Sequence, residues 1–319
     1  MDRASERSDN QPMIDSIAAL LPAAGYRAQD PIVVGVRQGS APAAFAHQGR
    51  LTADTVVYTA SLSKQVTAAC AALLVRQGRL DTESTLARWM PELPAWAGSV
   101  RVRHLIHHTS GLPEVADFDE LHRAGVDRTT ARIIGALKNV DELAVHPGSE
   151  HRYCNAGYVC LAVAVERAAG RPLPAFAREH VFGPLGMRDS RYWSGPAAHP
   201  PGAAPLDPAF PAPLSLGDGG MWSTARDLMR WNQALDRDEL GVSALLHTPG
   251  CLDDGSPLPY AWGVGVEEGV HRHGGRWAGL CAQLVRLPGR GAGFVILTLD
   301  DDEDRMTALA AALIDELTG

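Results

Sequence analysis

The sequence predicts an α+β protein: an antiparallel sheet built from N- and C-terminal segments, flanked by helices, with a mostly helical domain inserted between them. Strand-like runs lie near both ends of the chain. The middle reads as helix and loop, broken often by Pro and Gly, and an amphipathic helix follows the last strand. These patterns divide the chain into a sheet domain, residues 1–79 and 215–319, and an inserted helical domain, residues 80–214.

The stretches IVVGVRQG and AAFAHQ, parted by a Gly/Ser/Pro turn, read as a hairpin, so the chain is expected to begin with sheet. After Thr59-Ala60 the period changes: Leu62, Val66, Ala69, Leu73 and Leu74 recur at helical spacing until Gly78. Ser61 therefore sits at a strand-to-helix entry. A helix from Ala156 to Ala169 is stopped by Gly170 and Pro172, and another starts near Thr224, where Thr224 and Asp227 match a capping box. Strands are expected at Trp262–Val266, Val270–His273, Cys281–Leu287 and Gly293–Leu299, then a helix from about Asp304 to Leu317.

With 45% hydrophobic residues, 319 residues suffice to bury a substantial core. A net charge of −8 with no Lys/Arg cluster argues against nucleic acid or an anionic membrane as partner and leaves a neutral or modestly charged small molecule as the expected substrate. No run reaches the roughly 18 to 20 apolar residues that span a bilayer. Residues 1–15 are polar, and the apolar stretch after them is too short for an export signal, so a cytoplasmic location is expected. Five cysteines without a CxxC pair fit reduced thiols. No metal or cofactor motif is present; the histidines 104, 107 and 108 read as helix-end and core packing, and 271 and 273 as a polar strand end.

Ser61-Leu62-Ser63-Lys64 is an S-x-x-K pattern, which on a helix puts hydroxyl and amine on one face. A serine hydroxyl needs a base to become a nucleophile, and a lysine can serve where desolvation or nearby positive charge disfavours its proton. Only Lys64 and Lys138 are lysines; the rest of the 29 basic residues are Arg, which cannot release a proton. Tyr153-Cys154-Asn155 precedes a helix, and residues 153 and 155 of an extended loop point the same way. The phenol suits proton transfer, and the amide suits orienting the lysine or binding a carbonyl. Further on, His271-Arg272-His273-Gly274-Gly275-Arg276 runs along a strand into a glycine pair, where backbone can approach a ligand and offer edge N–H groups.

In chain order, SLSK at 61–64, VRHLIHHTSGLP at 102–113, PGSEHRYCNAGY at 147–158, GGMWSTARDL at 219–228 and HRHGGRWAGL at 271–280 resemble the serine β-lactamase-like superfamily. The branch is that of class C β-lactamases, DD-peptidases and family VIII esterases, and the likeness runs from about residue 30 to 300. It implies that Ser61 is acylated, that Lys64 and Tyr153 manage protons, and that Asn155 contacts Lys64 and the substrate. His273-Gly274-Gly275 falls on the third family motif, with the N–H groups of Ser61 and Arg276 as oxyanion hole. Ser110, a tempting second nucleophile, lies in what is a structural turn in that family. His273 stands where a Lys is usual, Arg276 where a small residue is common and Ala278 where a Pro is frequent, which bears on substrate choice. The leading expectation is a serine esterase or amidase on a small substrate. Acyl transfer through the same acyl-enzyme and a D-amino-acid peptidase or amidase are the chemical alternatives, and a non-catalytic binding protein is the alternative of another kind.

Overall fold

The computed structural model describes residues 11–115 and 128–319. Its centre is a six-stranded antiparallel sheet in the order β2-β1-β9-β8-β7-β6. The strands are β1 (Ile32–Gln38), β2 (Ala44–Gln48), β6 (Gly265–Glu267), β7 (Val270–Trp277), β8 (Leu280–Leu287) and β9 (Ala292–Thr298). The pairing of β1 with β9, Ile32 opposite Thr298 and Gln38 opposite Ala292, joins the two ends of the chain into one sheet. A second, three-stranded sheet holds β3 (Val57–Tyr58), β5 (Met221–Ser223) and β4 (Arg191–Tyr192).

The described residues open on a helix, α1 (Gln11–Ala23), ahead of the expected hairpin. Ile17 and Leu21, four apart, form its buried stripe. Alongside the C-terminal helix α6 (Glu303–Thr318), with Leu309 and Leu313, it covers one face of the sheet, against Ile32, Val34, Val36, Phe294 and Ile296. The other face, with Val33, Leu284, Val295 and Leu297, packs on α2 (Ser63–Arg76) and α5 (Ala225–Asp236). Coverage on both faces makes β1 and β9 read as nearly continuous apolar runs rather than alternating ones. At Gly35 a Cβ would lie 2.9 Å from Met229 and 2.7 Å from Phe45, so α5 packs directly on the bare backbone.

Helices are the main regular elements of the middle, with α3 (Thr130–Leu137) and α4 (Asn155–Ala169) the longer ones, but loops and turns make up more of its described residues than helix does. Gly170 ends α4 in the left-handed conformation, φ 62°. Both α2 and α4 are buried over most of their length, and one apolar cluster unites them with residues of the sheet. At the start of α5, Thr224 Oγ1 accepts the Asp227 N–H at 3.1 Å, but the Asp227 carboxylate does not complete the box. It accepts from Ser190 Oγ and the Asp189 N–H instead, holding β4 near α5. Of the expected terminal strands, the first is only the short β6, because its N-terminal half is a turn, while β7 runs on to Trp277. Among the described residues no helix is long and apolar enough to cross a membrane.

Candidate active site

Ser61 lies on a single 3-10 turn, Ala60–Leu62, that runs directly into α2. Ala60 has φ 46°, a left-handed conformation that costs a non-glycine residue about 1 kcal/mol or more. The surroundings hold it there. The Thr59 N–H bonds to Met221 O at 3.0 Å, and Ser63 Oγ donates to Ala60 O at 2.6 Å while accepting the Met221 N–H at 3.1 Å. Ser63 is thus a brace of the turn, and its neighbour Ser61 is left partly exposed.

Three residues along, the fully buried Lys64 places Nζ 2.9 Å from Ser61 Oγ, 2.7 Å from Asn155 Oδ1 and 2.8 Å from Asp218 O. The last two are fixed acceptors. They take two N–H bonds of the amine and direct its third position at Ser61, as a donor when charged and as a lone pair when neutral. Asn155 is held in its turn by Glu114, whose carboxylate accepts the Asn155 main-chain N–H at 2.6 Å and Nδ2 at 2.5 Å. Because Nδ2 faces an anion, the amide oxygen is the end presented to Lys64.

Tyr153, two residues earlier, reaches the same amine: Lys64 Nζ lies 4.8 Å from its ring centroid, and 44% of the side chain stays exposed. Between them Cys154 is buried, its Sγ accepting the Gly157 N–H and facing Leu112 O and Pro113 O, and burial pushes its thiol up to about 12. That thiol ties the Leu112–Pro113 turn to the start of α4 and is no nucleophile. Ser110 is buried too, a turn residue whose Oγ accepts the Leu112 N–H at 3.4 Å.

The opposite wall is β7. A Cβ on Gly275 would stand 2.5 Å from Thr59 O and 3.3 Å from the Ser61 nitrogen, so the strand lies against the serine turn with no room for a side chain. Trp277 and Leu280 close a two-residue turn into β8 and form a bonded pair. By alternation, Gly274 and Arg276 direct their N–H and C=O groups to the free edge. The Arg276 side chain leaves on the far face to pair with Glu303 at 2.6 Å, and Arg272 pairs with Glu267 at 3.0 Å.

His273 is buried on the near face, and burial, with a smaller contribution from Lys64, pushes its pKa down to about 3. Lys64 is the cation that acts on it. Nδ1 lies 2.6 Å from Gly274 O and so carries the proton, and Nε2 accepts from the Tyr260 hydroxyl at 3.1 Å. Both ring nitrogens are engaged within the protein.

The structure thus gathers Ser61, Lys64, Tyr153, Asn155, His273, Gly275 and the Arg276 backbone around one cleft. Sequence reasoning missed Glu114, Asp218 and Tyr260. Glu114 had a signal, a carboxylate ending the SGLP segment; Asp218 acts through its carbonyl, which leaves none.

A sheet backed by the two terminal helices, with a serine–lysine pair heading a buried helix under a helical region, defines the β-lactamase/transpeptidase-like fold class. This chain belongs to the β-lactamase family, whose model matches residues 27–318. It is 29% identical over 272 residues to penicillin-binding protein 4* of Bacillus subtilis, covering 74% of this chain and 59% of that protein. To the D-alanyl-D-alanine-carboxypeptidase/endopeptidase AmpH of Escherichia coli K12 it is 30% identical over 190 residues, 56% of this chain and 49% of that one. The chain therefore spans about half the length of these curated relatives. The crystal structure of D-amino acid amidase from Ochrobactrum anthropi SV3 superposes with a TM-score of 0.79 at 21% identity, covering 94% of this chain and 99% of that one.

Proposed function

We propose that this chain is a serine hydrolase acting through an acyl-enzyme on a small ester or amide. The observation that carries the reading is the Lys64 cradle: two fixed acceptors aim the amine at Ser61 Oγ, 2.9 Å away. Ser61 Oγ attacks the substrate carbonyl as its proton passes to Lys64; Tyr153 relays a proton to the departing alcohol or amine, and water then releases the acyl group. The N–H groups of Ser61 and Arg276 bind the carbonyl oxygen as it gains charge, with Gly275 keeping the strand close enough. Asn155 steadies Lys64. Five unpaired cysteines, four of them buried, support a cytoplasmic setting.

The neutral His273, with both nitrogens occupied, gives a substrate carboxylate little to bind. Losing a charged hydrogen bond costs about 1 to 3 kcal/mol. Esters and amides without a free carboxylate are therefore favoured over β-lactams. The test has two parts. A fluorophosphonate probe followed by intact mass is expected to label the native protein and Ser110→Ala once and to leave Ser61→Ala unlabelled; a label surviving in Ser61→Ala refutes the nucleophile. At pH 7.5, kcat/KM for a cephalosporin reporter is expected to fall about 10²-fold below that for a short aryl ester. Equal efficiencies would refute the substrate preference.

A further inference from the structure

We propose that His108 is the positioning residue for Tyr153, gripping the chain on both sides of it and backing its ring. The inference rests on the role given to Tyr153 above. Residues 151–154 form no helix or strand, so Tyr153 has no ladder of hydrogen bonds to fix it. Both of its chain neighbours hang instead on one residue. The Arg152 N–H donates to His108 O at 2.8 Å, and the Cys154 N–H donates to His108 Nδ1 at 3.0 Å. The His108 ring lies 4.3 Å, centroid to centroid, from the Tyr153 ring, inclined by 35°.

The grip is preset. His108 is fully buried and has φ 56°, a left-handed backbone that turns its carbonyl and ring toward the same loop. Its ring also meets Tyr260 at 4.8 Å and Tyr158 at 5.0 Å, which leaves the imidazole little freedom. Nδ1 must be unprotonated to accept the Cys154 N–H. Burial, reinforced by Lys64, His273, His151 and His107, holds the His108 pKa well below the ordinary value, so that acceptor persists through the working range. Tyr153 is 44% exposed, and of the two histidine rings beside it that of His108, at 4.3 Å, stands closer than that of His273, at 6.2 Å.

A double-mutant cycle and hydrogen exchange test this. His108→Ala is expected to lower kcat about 10- to 100-fold, the size of a small misplacement of a reacting group, with KM nearly unchanged. In a Tyr153→Phe background the same substitution is expected to change kcat by less than about threefold, because its effect passes through the missing hydroxyl. His108→Asn, which tolerates the left-handed backbone and offers an acceptor to Cys154, is expected to recover part of the loss. The Arg152 and Cys154 amides are expected to lose exchange protection in His108→Ala while those of β8 and β9 keep theirs, which also shows that the variant folds. Should His108→Ala fail to fold, the cycle and the exchange comparison are carried by His108→Asn. Additive losses in the cycle, or unchanged protection at 152 and 154, would overturn the proposal. Full activity of Tyr153→Phe would overturn the proton-handling role of Tyr153 and the catalytic half of the proposal with it, while exchange still reads the grip.

Discussion

Asn155 presents its amide oxygen to Lys64 only because Glu114 occupies its two donors. A glutamine at 114 has one accepting and one donating end. Asn155 must then either lose a partner or turn its NH2 toward the lysine. Glu114→Gln is expected to lower kcat on an aryl ester about tenfold, equivalent to roughly 1.4 kcal/mol, with the fold intact by circular dichroism. An unchanged kcat would show that Asn155 holds its orientation without the carboxylate. Of the candidate site, Ser61, Lys64, Tyr153 and Asn155, which the fold brings together, stood out in sequence because each lies in a short motif. Tyr260 did not, since its partner His273 lies 13 residues away, and Glu114 showed only as a carboxylate after SGLP, its partner Asn155 lying 41 residues on.

At the scale of elements, the contact between β7 and the serine turn explains why two adjacent glycines differ. On Gly275 a Cβ would press on main chain, Thr59 O at 2.5 Å; on Gly274 its nearest neighbour would be Gln283 Oε1 at 3.2 Å, the end of a flexible side chain. Gly275→Ala is therefore expected to lose most activity and to lower Tm, with an overpacking cost of about 1 to 3 kcal/mol, whereas Gly274→Ala keeps both. Similar behaviour of the two variants in a thermal melt and an ester assay would contradict the close approach. The strands of the six-stranded sheet and α2, α4, α5 and α6 announced themselves by apolar period and stop residues, whereas β4 and β5, two and three residues long, are too short to carry a period. Helix α1 did not, because Ile17 and Leu21 are too few to stand out without the sheet they cover. Equally hidden was the buried layer of Arg37 and Arg286, which meet Asp236 of α5 across the bare Gly293, from three distant segments.

Over the whole molecule, burial leaves several histidines neutral: His273 and His247 are pushed down to about 3, and His107 and His271 to about 4. Their unfolded counterparts titrate near 6.5, so below that pH the unfolded chain binds more protons than the folded one. Stability is complete above about pH 6.5 and falls as pH drops toward 4, each such group adding a slope of at most about 1.4 kcal/mol per pH unit. Urea midpoints at pH 7.5 and 5 are expected to show a large loss, and equal midpoints would mean that these rings are hydrated and chargeable in the fold. The pairing of β1 with β9 has a consequence of another kind, in the order of synthesis. At about 5 to 20 residues per second, the β1–β2 hairpin leaves the ribosome on the order of ten seconds before its partner strand exists. Until then Val33, Val34 and Val36, buried in the finished sheet, have no β9 to pair with. A chain stalled before β7 carries Ser61 and Lys64 without the strand edge that completes their cleft.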